Sequence, residues 1–457
     1  MTEFAVDLRP KAERIKAGKA LRKKVSRSSH AAWKPAVDRL DPIAVLRANS
    51  RGRLKELLPL RWGRMLVSPF AFLRGAAAVM AADLAPTPVS GLLVQAGGDC
   101  HLANFGGFAT PERHLVFDIT DFDETLPAPW EWDLKRLAAS VTVAGRHAGI
   151  GDKAAAGSAQ AAVRSYREMM AHLAGMRTLD EWYARLDLET PIAGSRDSVE
   201  RRLTAEAEKA RRRTLFHAFP KFIEKHDSEP RIKDDPPLIF HSKARHGVEA
   251  DARGFLHRFR KTLMPETRVL FDRFRLADVA MKVVGVGSVG TRCAVALLLA
   301  ESDDPLFLQI KEARGSVLEP FAGRSPFSNQ GERVVRGQRL MQSASDIFLG
   351  WSRDAKGRDY YCRQLRDMKV SLVLDKISVA ELTDYAGWCG RALARAHARS
   401  GDAATLTGYL GGNDVLDRAL AKFAVAYADQ TERDFEALKK AVKAGRLQAS
   451  VEAGKSE

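Results

Sequence analysis

The sequence predicts an α+β protein of two lobes with a large additional helical region. Apolar residues recur at helical spacing in residues 40–85 and again in residues 379–399, which predicts helices in both halves of the chain. Between them, residues 279–299 and 306–310 are rich in Val, Leu and Ile and flank the turn sequence SDDP, which predicts a strand-rich part. At 457 residues the chain is long enough to form two lobes, or two to three domains, around a large core.

The first 150 residues are predicted to combine helices with short strands. Leucines at helical spacing and a run rich in Ala, Met and Leu predict helix within residues 40–85, and the prolines that follow end it. Residues 92–95 are predicted to form a short buried strand, and residues 114–120 a second strand. Residues 130–147 return to helical periodicity.

The rest of the chain begins with residues 150–275, which are highly charged and predicted to be mostly helical. After the strand-rich part, a helix is predicted over residues 331–345 and strands over residues 359–365 and 370–374. A further helix is predicted over residues 379–399, and the tail from residue 414 is predicted helical.

The charge balance favours anionic partners. The formal net charge is +16 and the isoelectric point is near 9.7, which favours nucleotides, phosphorylated substrates, nucleic acid or an anionic surface. No nucleic-acid recognition motif accompanies the charge, so nucleic acid is not the expected partner. The four cysteines lack metal-ligand spacing, and the sequence predicts neither a signal peptide nor a membrane span. We expect a cytoplasmic protein, and the sequence leaves its oligomeric state open.

The segment GDCHLANFG at residues 98–106 carries the strongest chemical pattern. Asp99 and Asn104 lie five positions apart on one predicted loop. In phosphoryl transfer an Asp orients the acceptor hydroxyl and accepts its proton, while an Asn amide oxygen ligates a metal on the nucleotide phosphates. His101, on the same loop, is the second catalytic candidate.

An acidic cluster follows the next predicted strand. Asp121 comes seventeen residues after Asn104, and a carboxylate in this position completes an oxygen-ligand site for Mg²⁺. Asp118 and Asp123 remain alternatives to Asp121, because the sequence does not fix the strand register.

A second pattern, VGVGSVGT at residues 284–291, lies between two strand-like runs. Its glycines form a G-x-G-x-x-G pattern, which lets backbone N–H groups approach phosphates closely. A dinucleotide-binding turn shows the same pattern, but a strand rather than a helix follows here, at residues 292–299. The candidate nucleotide-binding residues of this segment are Gly285, Gly287, Ser288, Gly290 and Thr291.

Lys311 ends the next apolar strand. Strand, Gly-rich turn, strand and then a strand with an inward Lys is the nucleotide hairpin of protein kinases, in which the Lys binds the α- and β-phosphates. A carboxylate on a nearby helix usually pairs with this Lys, and Glu332 is the first candidate, with Glu319 second. The segment RQLRDMK at residues 363–369 occupies the place of the hinge, where the backbone of Gln364 and Leu365 is the candidate contact to adenine.

Three residues are predicted to support the site without taking part in the chemistry. Asp133, in the run WDLKR, is expected to accept backbone N–H groups of the loop that carries Asp99 and to hold it rigid. Arg136 lies in the same run. His397 lies near a predicted helix end and is expected to be structural.

The segments GDCHLANFG, DFDE and PWEWDL together resemble the motif pattern of aminoglycoside phosphotransferases and related small-molecule kinases. Gly97 replaces the leading His of that pattern. The resemblance implies that Asp99 is the catalytic base, that Asn104 and Asp121 bind the metal and that Asp133 is structural. It also implies ATP and Mg²⁺ as cofactors.

The chain as a whole is similar to the uncharacterised bacterial domain-of-unknown-function 2252 family. The similarity runs from RWGRMLVSPFAFLRG through GTRCAVALLL and RQLRDMK to YADQTERD, nearly from end to end. It implies a kinase-like fold and brings no established substrate.

The order of the motifs differs from that of ordinary kinases. Here the Asp99 and Asp121 segments come first, and the nucleotide hairpin begins some 160 residues after them. The cyclic order is nevertheless kept, which predicts a circularly permuted protein-kinase-like fold. The predicted segments are an N-terminal helical segment (1–96), the catalytic and metal-binding segment (97–148), a helical part (149–277), the β-rich nucleotide-binding lobe (278–376) and C-terminal helices (377–457).

The leading functional hypothesis is an ATP- and Mg²⁺-dependent phosphotransferase that acts on an unknown acceptor, either a small molecule or a protein hydroxyl. Three alternatives stay open: a catalytically inactive nucleotide-binding regulator, an AMP transferase on the same fold, and a metal-dependent phosphoesterase. The last leaves the Gly-rich hairpin unexplained.

Overall fold

The computed structural model describes residues 7–188, 223–226, 229–241, 247–301, 304–365 and 377–450. The protein is α+β, as the sequence predicts. The helices are α1 Lys11–Leu21, α2 Pro42–Asn49, α3 Leu58–Met65, α4 Pro69–Gly75, α5 Ala77–Leu84, α6 Trp130–His147, α7 Asp152–Gly175, α8 Thr178–Tyr183, α9 Ala252–Arg260, α10 Pro265–Phe271, α11 Glu319–Ala322, α12 Gln330–Met341, α13 Val379–Ala398, α14 Ala403–Leu410 and α15 Val415–Lys443. The strands are β1 Leu93–Ala96, β2 Phe105–Ala109, β3 Leu115–Ile119, β4 Leu126–Pro129, β5 Ile223–His226, β6 Glu229–Ile232, β7 Ile239–Phe240, β8 Arg275–Lys282, β9 Cys293–Leu299, β10 Pro305–Glu312, β11 Gly350–Arg353 and β12 Asp359–Gln364.

A six-stranded antiparallel sheet forms the strand-rich part. Its strand order is β11-β12-β10-β9-β8-β7, so the consecutive strands β8, β9 and β10 lie side by side. Every residue of β9 is buried, because hydrophobic clusters cover both faces of the sheet. This double burial explains the uninterrupted apolar run CAVALLL, in place of the alternation typical of a strand with one exposed face.

The helical body packs around α6, α7, α13 and α15, which contribute most of the largest hydrophobic cluster. Helix α6 has the predicted bounds, and only its last two residues are not buried. Helix α13 begins with a capping box, in which Ser378 accepts the N–H of Glu381 and the Glu381 carboxylate accepts the N–H of Ser378.

The described part of residues 150–275 contains strands where the sequence predicts mostly helix. The hairpin of β5 and β6 and the short strand β7 occur where the charged composition favoured helix. Tertiary contacts override that composition, since β6 packs on β8 and the Asp278 carboxylate accepts the N–H of Ile232 at 2.7 Å. The strand predicted at residues 370–374 lies outside the described residues.

Two small antiparallel pairs support the segment that carries Asp99. Strand β1 pairs with β4, and β2 pairs with β3, so the loop between β1 and β2 lies next to the turn between β3 and β4. This arrangement brings residues 97–104 beside residues 120–125. Among the described residues, no helix has both the length and the apolar character needed to cross a membrane.

Candidate functional site

The loop of residues 97–106, called the Asp99 loop below, is fixed by a carboxylate from helix α6. Asp133 accepts the N–H of Gly97 at 2.7 Å and the N–H of Gly98 at 2.9 Å, as expected for a residue that holds this loop. Gly98 has φ +80°, and a Cβ there would lie 2.4 Å from the carbonyl oxygen of Glu124, so only glycine fits. His397 also contacts this carboxylate, with Nε2 3.1 Å from Oδ2, the oxygen that accepts the N–H of Gly97.

Replacing Asp133 with asparagine is expected to lower the free energy of unfolding by about 2 kcal/mol. The amide has one acceptor oxygen for three buried donors, so at least one N–H of the loop or of His397 loses its partner. Urea denaturation measures the change, and Asp152→Asn, at an exposed position, is the control. Equal stability of the two variants would contradict the assigned role of Asp133.

Asp99 lies on this loop and lines a cleft of the protein. Its carboxylate is held by Arg136. The Nε and Nη2 atoms of Arg136 donate to Oδ1 of Asp99 at 2.9 and 2.6 Å. Burial raises the pKa of Asp99 to about 7, and Arg136 limits the rise. A carboxylate with a pKa near neutrality can accept a proton and later release it.

His101 is buried beside Asp99, with its Nε2 atom 3.8 Å from Oδ2 of Asp99. Burial and the charges of Arg136 and Arg74 lower its pKa well below the ordinary value, so the ring is neutral. Its Nδ1 atom has no hydrogen-bond partner within the described part of the chain.

Asn104 and Asp121 both line the same cleft as Asp99. The Nδ2 atom of Asn104 donates to the carbonyl oxygen of Asp99 at 2.8 Å, which leaves the Asn104 amide oxygen available. Asp121 accepts the N–H of Asp123 through Oδ1 at 3.1 Å. The described residues contain no cluster of three His, Cys, Asp or Glu side chains arranged for a metal. An open Mg²⁺ site does not require one, because this ion keeps several waters and substrate phosphates as ligands.

Asp118, an alternative metal ligand, is not available for that role. It is fully buried, and Nη2 of Arg395 donates to both of its carboxylate oxygens at 2.8 and 2.9 Å. The N–H and hydroxyl of Ser343 donate to Oδ2 as well, each at 2.9 Å. The carboxylate therefore joins β3 to the end of α12 and to α13, and it faces no cleft.

We expect Asp118→Asn to lower the free energy of unfolding by about 3 kcal/mol, because it leaves the buried Arg395 without a counter-charge. Asp121→Asn should change the free energy of unfolding by less than about 1 kcal/mol, since its carboxylate is about one-third exposed. Chemical denaturation of both variants checks the difference. Similar losses in the two would contradict the distinction between a structural and an available carboxylate.

The Gly-rich loop, residues 285–291, connects β8 to β9 and lies against the N-terminal helices. Arg53 donates to the carbonyl oxygens of Gly287 and Val289, both at 2.7 Å, and Arg61 donates to that of Gly287 at 2.6 Å. Arg64 donates to the carbonyl oxygen of Gly285. Loop carbonyl oxygens are thus held by cationic side chains that the sequence analysis did not single out.

The backbone N–H groups of Gly287, Ser288 and Gly290 donate no hydrogen bond to any described residue. Gly285 and Gly290 have positive φ values of +61° and +86°, which glycine adopts without strain. Unpaired N–H groups on such a loop form a concave site for an anion.

Lys311 extends from β10 and contacts the acidic segment, residues 121–124. Its Nζ lies 2.8 Å from Oδ2 of Asp123 and 3.7 Å from Oδ2 of Asp121. Tyr361 donates to Asp123 at 2.6 Å, and Ser288 of the Gly-rich loop donates to it at 3.2 Å. Burial alone would raise the pKa of Asp123, but Lys311 and Tyr361 hold it below its ordinary value.

The predicted carboxylate partner of Lys311 is wrong. Glu332 lies in the first turn of α12 and pairs with Arg336, one turn further along the same helix, at 3.3 Å. The alternative, Glu319, accepts from Ser325 and Gln330 instead. The carboxylate that pairs with Lys311 is instead that of Asp123, which lies in the acidic segment and not on a helix.

Helix α12 contributes Arg333, which the sequence analysis missed. Arg333 is 2% exposed and donates to the carbonyl oxygens of Asp123, Thr125 and Arg314 at 2.7 to 2.8 Å. It therefore fixes the backbone of the acidic segment. The sequence offers only a weak indication of this role, because an arginine next to Val334 and Val335 is equally typical of a solvent-exposed helix surface.

The predicted hinge residues do not line this cleft. The N–H of Gln364 donates to Asp346, and the N–H of Leu365 donates to the carbonyl oxygen of Phe307 at 2.8 Å. Gln364 lines a separate cavity of about 130 Å³. Both N–H groups are already used, so the predicted contact to adenine lacks these donors. Residues 366–369 of the proposed hinge lie outside the described residues.

The remaining groups meet in one cleft with a volume of about 200 Å³. Segments from the two halves of the chain line it: residues within 49–78, the Asp99 loop and the acidic segment from the first, and residues 285–288, Thr291 and residues within 312–317 from the second. Lys311 is not one of the residues that line the cleft, but its Nζ contacts Asp123, which does line it.

A family model described as "Uncharacterized protein conserved in bacteria (DUF2252)" matches residues 53–441. No curated protein and no solved structure matches the chain. The matched residues contain the Asp99 loop, the acidic segment, the Gly-rich loop and Lys311. The chain belongs to the DUF2252 family of uncharacterized proteins conserved in bacteria.

Proposed function

We propose that this protein is an ATP- and Mg²⁺-dependent phosphotransferase with a kinase-like fold whose motifs run in circularly permuted order. One observation carries the proposal: Lys311 lies 2.8 Å from Asp123 and 3.7 Å from Asp121, although 188 and 190 positions separate them in sequence. If the acidic segment and the Lys311 strand matched kinase motifs only by chance, we would not expect them to be in contact in the folded protein.

Asp99 is the proposed general base. Its pKa of about 7 suits proton transfer at neutral pH, because such a group is ionised in part and still accepts a proton well. The two hydrogen bonds from Arg136 fix the carboxylate in one orientation. The second oxygen, Oδ2, is left to accept the proton of an acceptor hydroxyl.

The amide oxygen of Asn104 and the carboxylate of Asp121 are the proposed ligands of Mg²⁺, which when bound would neutralise charge on the transferred phosphoryl group. Asp123 is less suited, because Lys311, Tyr361 and Ser288 already donate to it. Its role is to keep Lys311 beside the acidic segment.

The Gly-rich loop and Lys311 are the proposed phosphate-binding groups. Gly287 and Ser288 line the cleft, and their N–H groups, which have no partner among the described residues, supply donors, while Lys311 supplies positive charge. The cleft volume of about 200 Å³ is smaller than the roughly 300–1,000 Å³ of ligand pockets. We therefore expect the contact between Ser288 and Asp123 to open when a nucleotide enters.

The order of the elements supports the permuted kinase-like arrangement. In cyclic order the chain presents the Gly-rich loop, Lys311, helix α12, strand β12 and helix α13, and then returns to the Asp99 loop and Asp121. This is the order in which kinases use the corresponding parts. Two parts differ from the kinase pattern: Lys311 pairs with Asp123 in place of a helix carboxylate, and Gln364 and Leu365 at the end of β12 do not line the cleft.

Label transfer from ATP tests the proposal. The purified chain is incubated with Mg²⁺, a bacterial extract of metabolites and proteins, and ATP labelled at either the γ- or the α-phosphate. Label from the γ-position alone should appear in product and should be lost with Asp121→Asn. Transfer of the α-label would show AMP transfer instead, and product formation without ATP would favour a phosphoesterase. No product from either label, with stable binding of ATP, would contradict catalysis.

A further inference from the structure

Three arginines converge on the end of the cleft that faces the N-terminal helices. Arg53 follows α2, Arg61 lies on α3, and Arg314 follows β10. All three line the cleft, and Arg61 is 0% exposed. Burial and the neighbouring Arg314 lower the pKa of Arg53 to about 10, and burial together with Arg53 and Arg314 lowers that of Arg61. The three positive charges are therefore close enough to destabilise one another.

Within the part of the chain that the structure describes, the hydrogen-bond partners of these arginines are neutral groups. Arg53, Arg61 and Arg314 donate four, three and two hydrogen bonds, respectively, to backbone carbonyl oxygens or to the Asn49 amide oxygen. Among the described residues no carboxylate forms an ion pair with any of the three. Among acidic side chains, Glu124 has the largest electrostatic effect on Arg53 and Arg61, and burial raises the pKa of Glu124 itself.

Donors remain on these side chains after the neutral partners are counted. A guanidinium carries more N–H groups than these bonds use, and the Nε of buried Arg61 has no partner among the described residues. A buried donor without an acceptor and a group of like charges without a counter-charge both cost stability. An oxyanion bound in the cleft removes both costs, because its oxygens accept several N–H groups at once.

We propose that the end of the cleft lined by Arg53, Arg61 and Arg314 binds a phosphate-type oxyanion. This proposal deepens the proposed function, because the oxyanion has two possible sources. It is either a phosphate of the nucleotide or an anionic group of an acceptor whose hydroxyl reaches Asp99. The site itself can be tested without a nucleotide, so its failure is separable from a failure of phosphotransferase activity.

The test is thermal unfolding of the full chain in sodium phosphate and in sodium chloride at equal ionic strength and pH. For the wild type, phosphate at 100 times its Kd should raise the Tm by about 3 °C. Arg314→Gln should lose most of this rise, and Arg314→Lys should retain part of it, since it keeps the charge. Arg418→Gln, an exposed arginine elsewhere, should behave as the wild type.

A second variant covers the case in which Arg314→Gln does not fold. Glu124→Gln removes the neighbouring negative charge and keeps an acceptor for the N–H of Val317, so it should strengthen phosphate binding. A phosphate-dependent rise that is the same in wild type, Arg314→Gln and Glu124→Gln would overturn the proposal, because phosphate also stabilises folded proteins without a site.

Adding ATP with Mg²⁺ identifies the source of the oxyanion. If ATP removes the effect of phosphate, the arginines bind a phosphate of the nucleotide. If the effects of ATP and phosphate add, the arginines bind an anionic acceptor. If phosphate binds at Arg314 but ATP does not bind at all, the oxyanion site stands and the proposed phosphotransferase function fails.

Discussion

Asp99→Asn is expected to lower the rate of phosphoryl transfer about 10²- to 10⁴-fold, the usual contribution of a general base. Asparagine keeps the shape of the side chain and the oxygen that accepts both hydrogen bonds from Arg136, but it cannot accept the acceptor's proton. The rate is measured with the labelled ATP described above, at saturating ATP and Mg²⁺. The affinity for ATP should change little, because Asp99 is assigned to the acceptor side of the cleft.

Two comparisons make this result specific. Asp152→Asn changes a carboxylate on the exposed surface and should leave the rate unchanged. Circular dichroism and the Tm establish that Asp99→Asn remains folded, since it leaves Arg136 without a charged partner. An unchanged transfer rate in folded Asp99→Asn protein would remove Asp99 from the catalytic role.

Lys311→Met is expected to lower the free energy of unfolding by about 3–5 kcal/mol. Lys311 is 3% exposed and the Asp123 side chain is 28% exposed, so removal of Lys311 leaves a half-buried carboxylate without its cation. The methionine fills most of the volume of the lysine stem, so the loss comes mainly from the unpaired charge. Urea denaturation measures the change.

The double variant Lys311→Met/Asp123→Asn separates the charge effect from the packing effect. It removes both charges at once and should recover most of the stability that either single variant loses. Nucleotide binding should not recover, because Lys311 is the proposed phosphate ligand. If the losses of the two single variants simply add in the double variant, Lys311 and Asp123 do not interact. That result would contradict the contact between the Lys311 strand and the acidic segment.

Local patterns predicted much of this protein. The bounds of α6 follow from its helical periodicity, and strand β9, which follows the Gly-rich loop, comes from an uninterrupted apolar run. The support of the Asp99 loop by Asp133 was predicted from its position in the run WDLKR shortly after the acidic segment, and Asp133 accepts the N–H groups of Gly97 and Gly98. These features depend mainly on residues close in sequence or on well-known motif order.

The features that the sequence did not reveal depend on contacts between distant segments. Arg53, Arg61 and Arg333 donate chiefly to backbone carbonyl oxygens, and an arginine with such partners has no recognisable sequence pattern. The choice of Asp123 over Glu332 as the partner of Lys311 likewise depends on how two segments pack.

Calorimetric titration of ATP with Mg²⁺ tests the central claim most directly. We expect the wild type to bind ATP in a Mg²⁺-dependent manner, and both Asp121→Ala and Lys311→Ala to lose most of the affinity while Asp152→Asn retains it. That result would show that residues 190 positions apart belong to one nucleotide site. Binding that neither substitution weakens, or no binding by the folded wild type with or without Mg²⁺, would contradict the account.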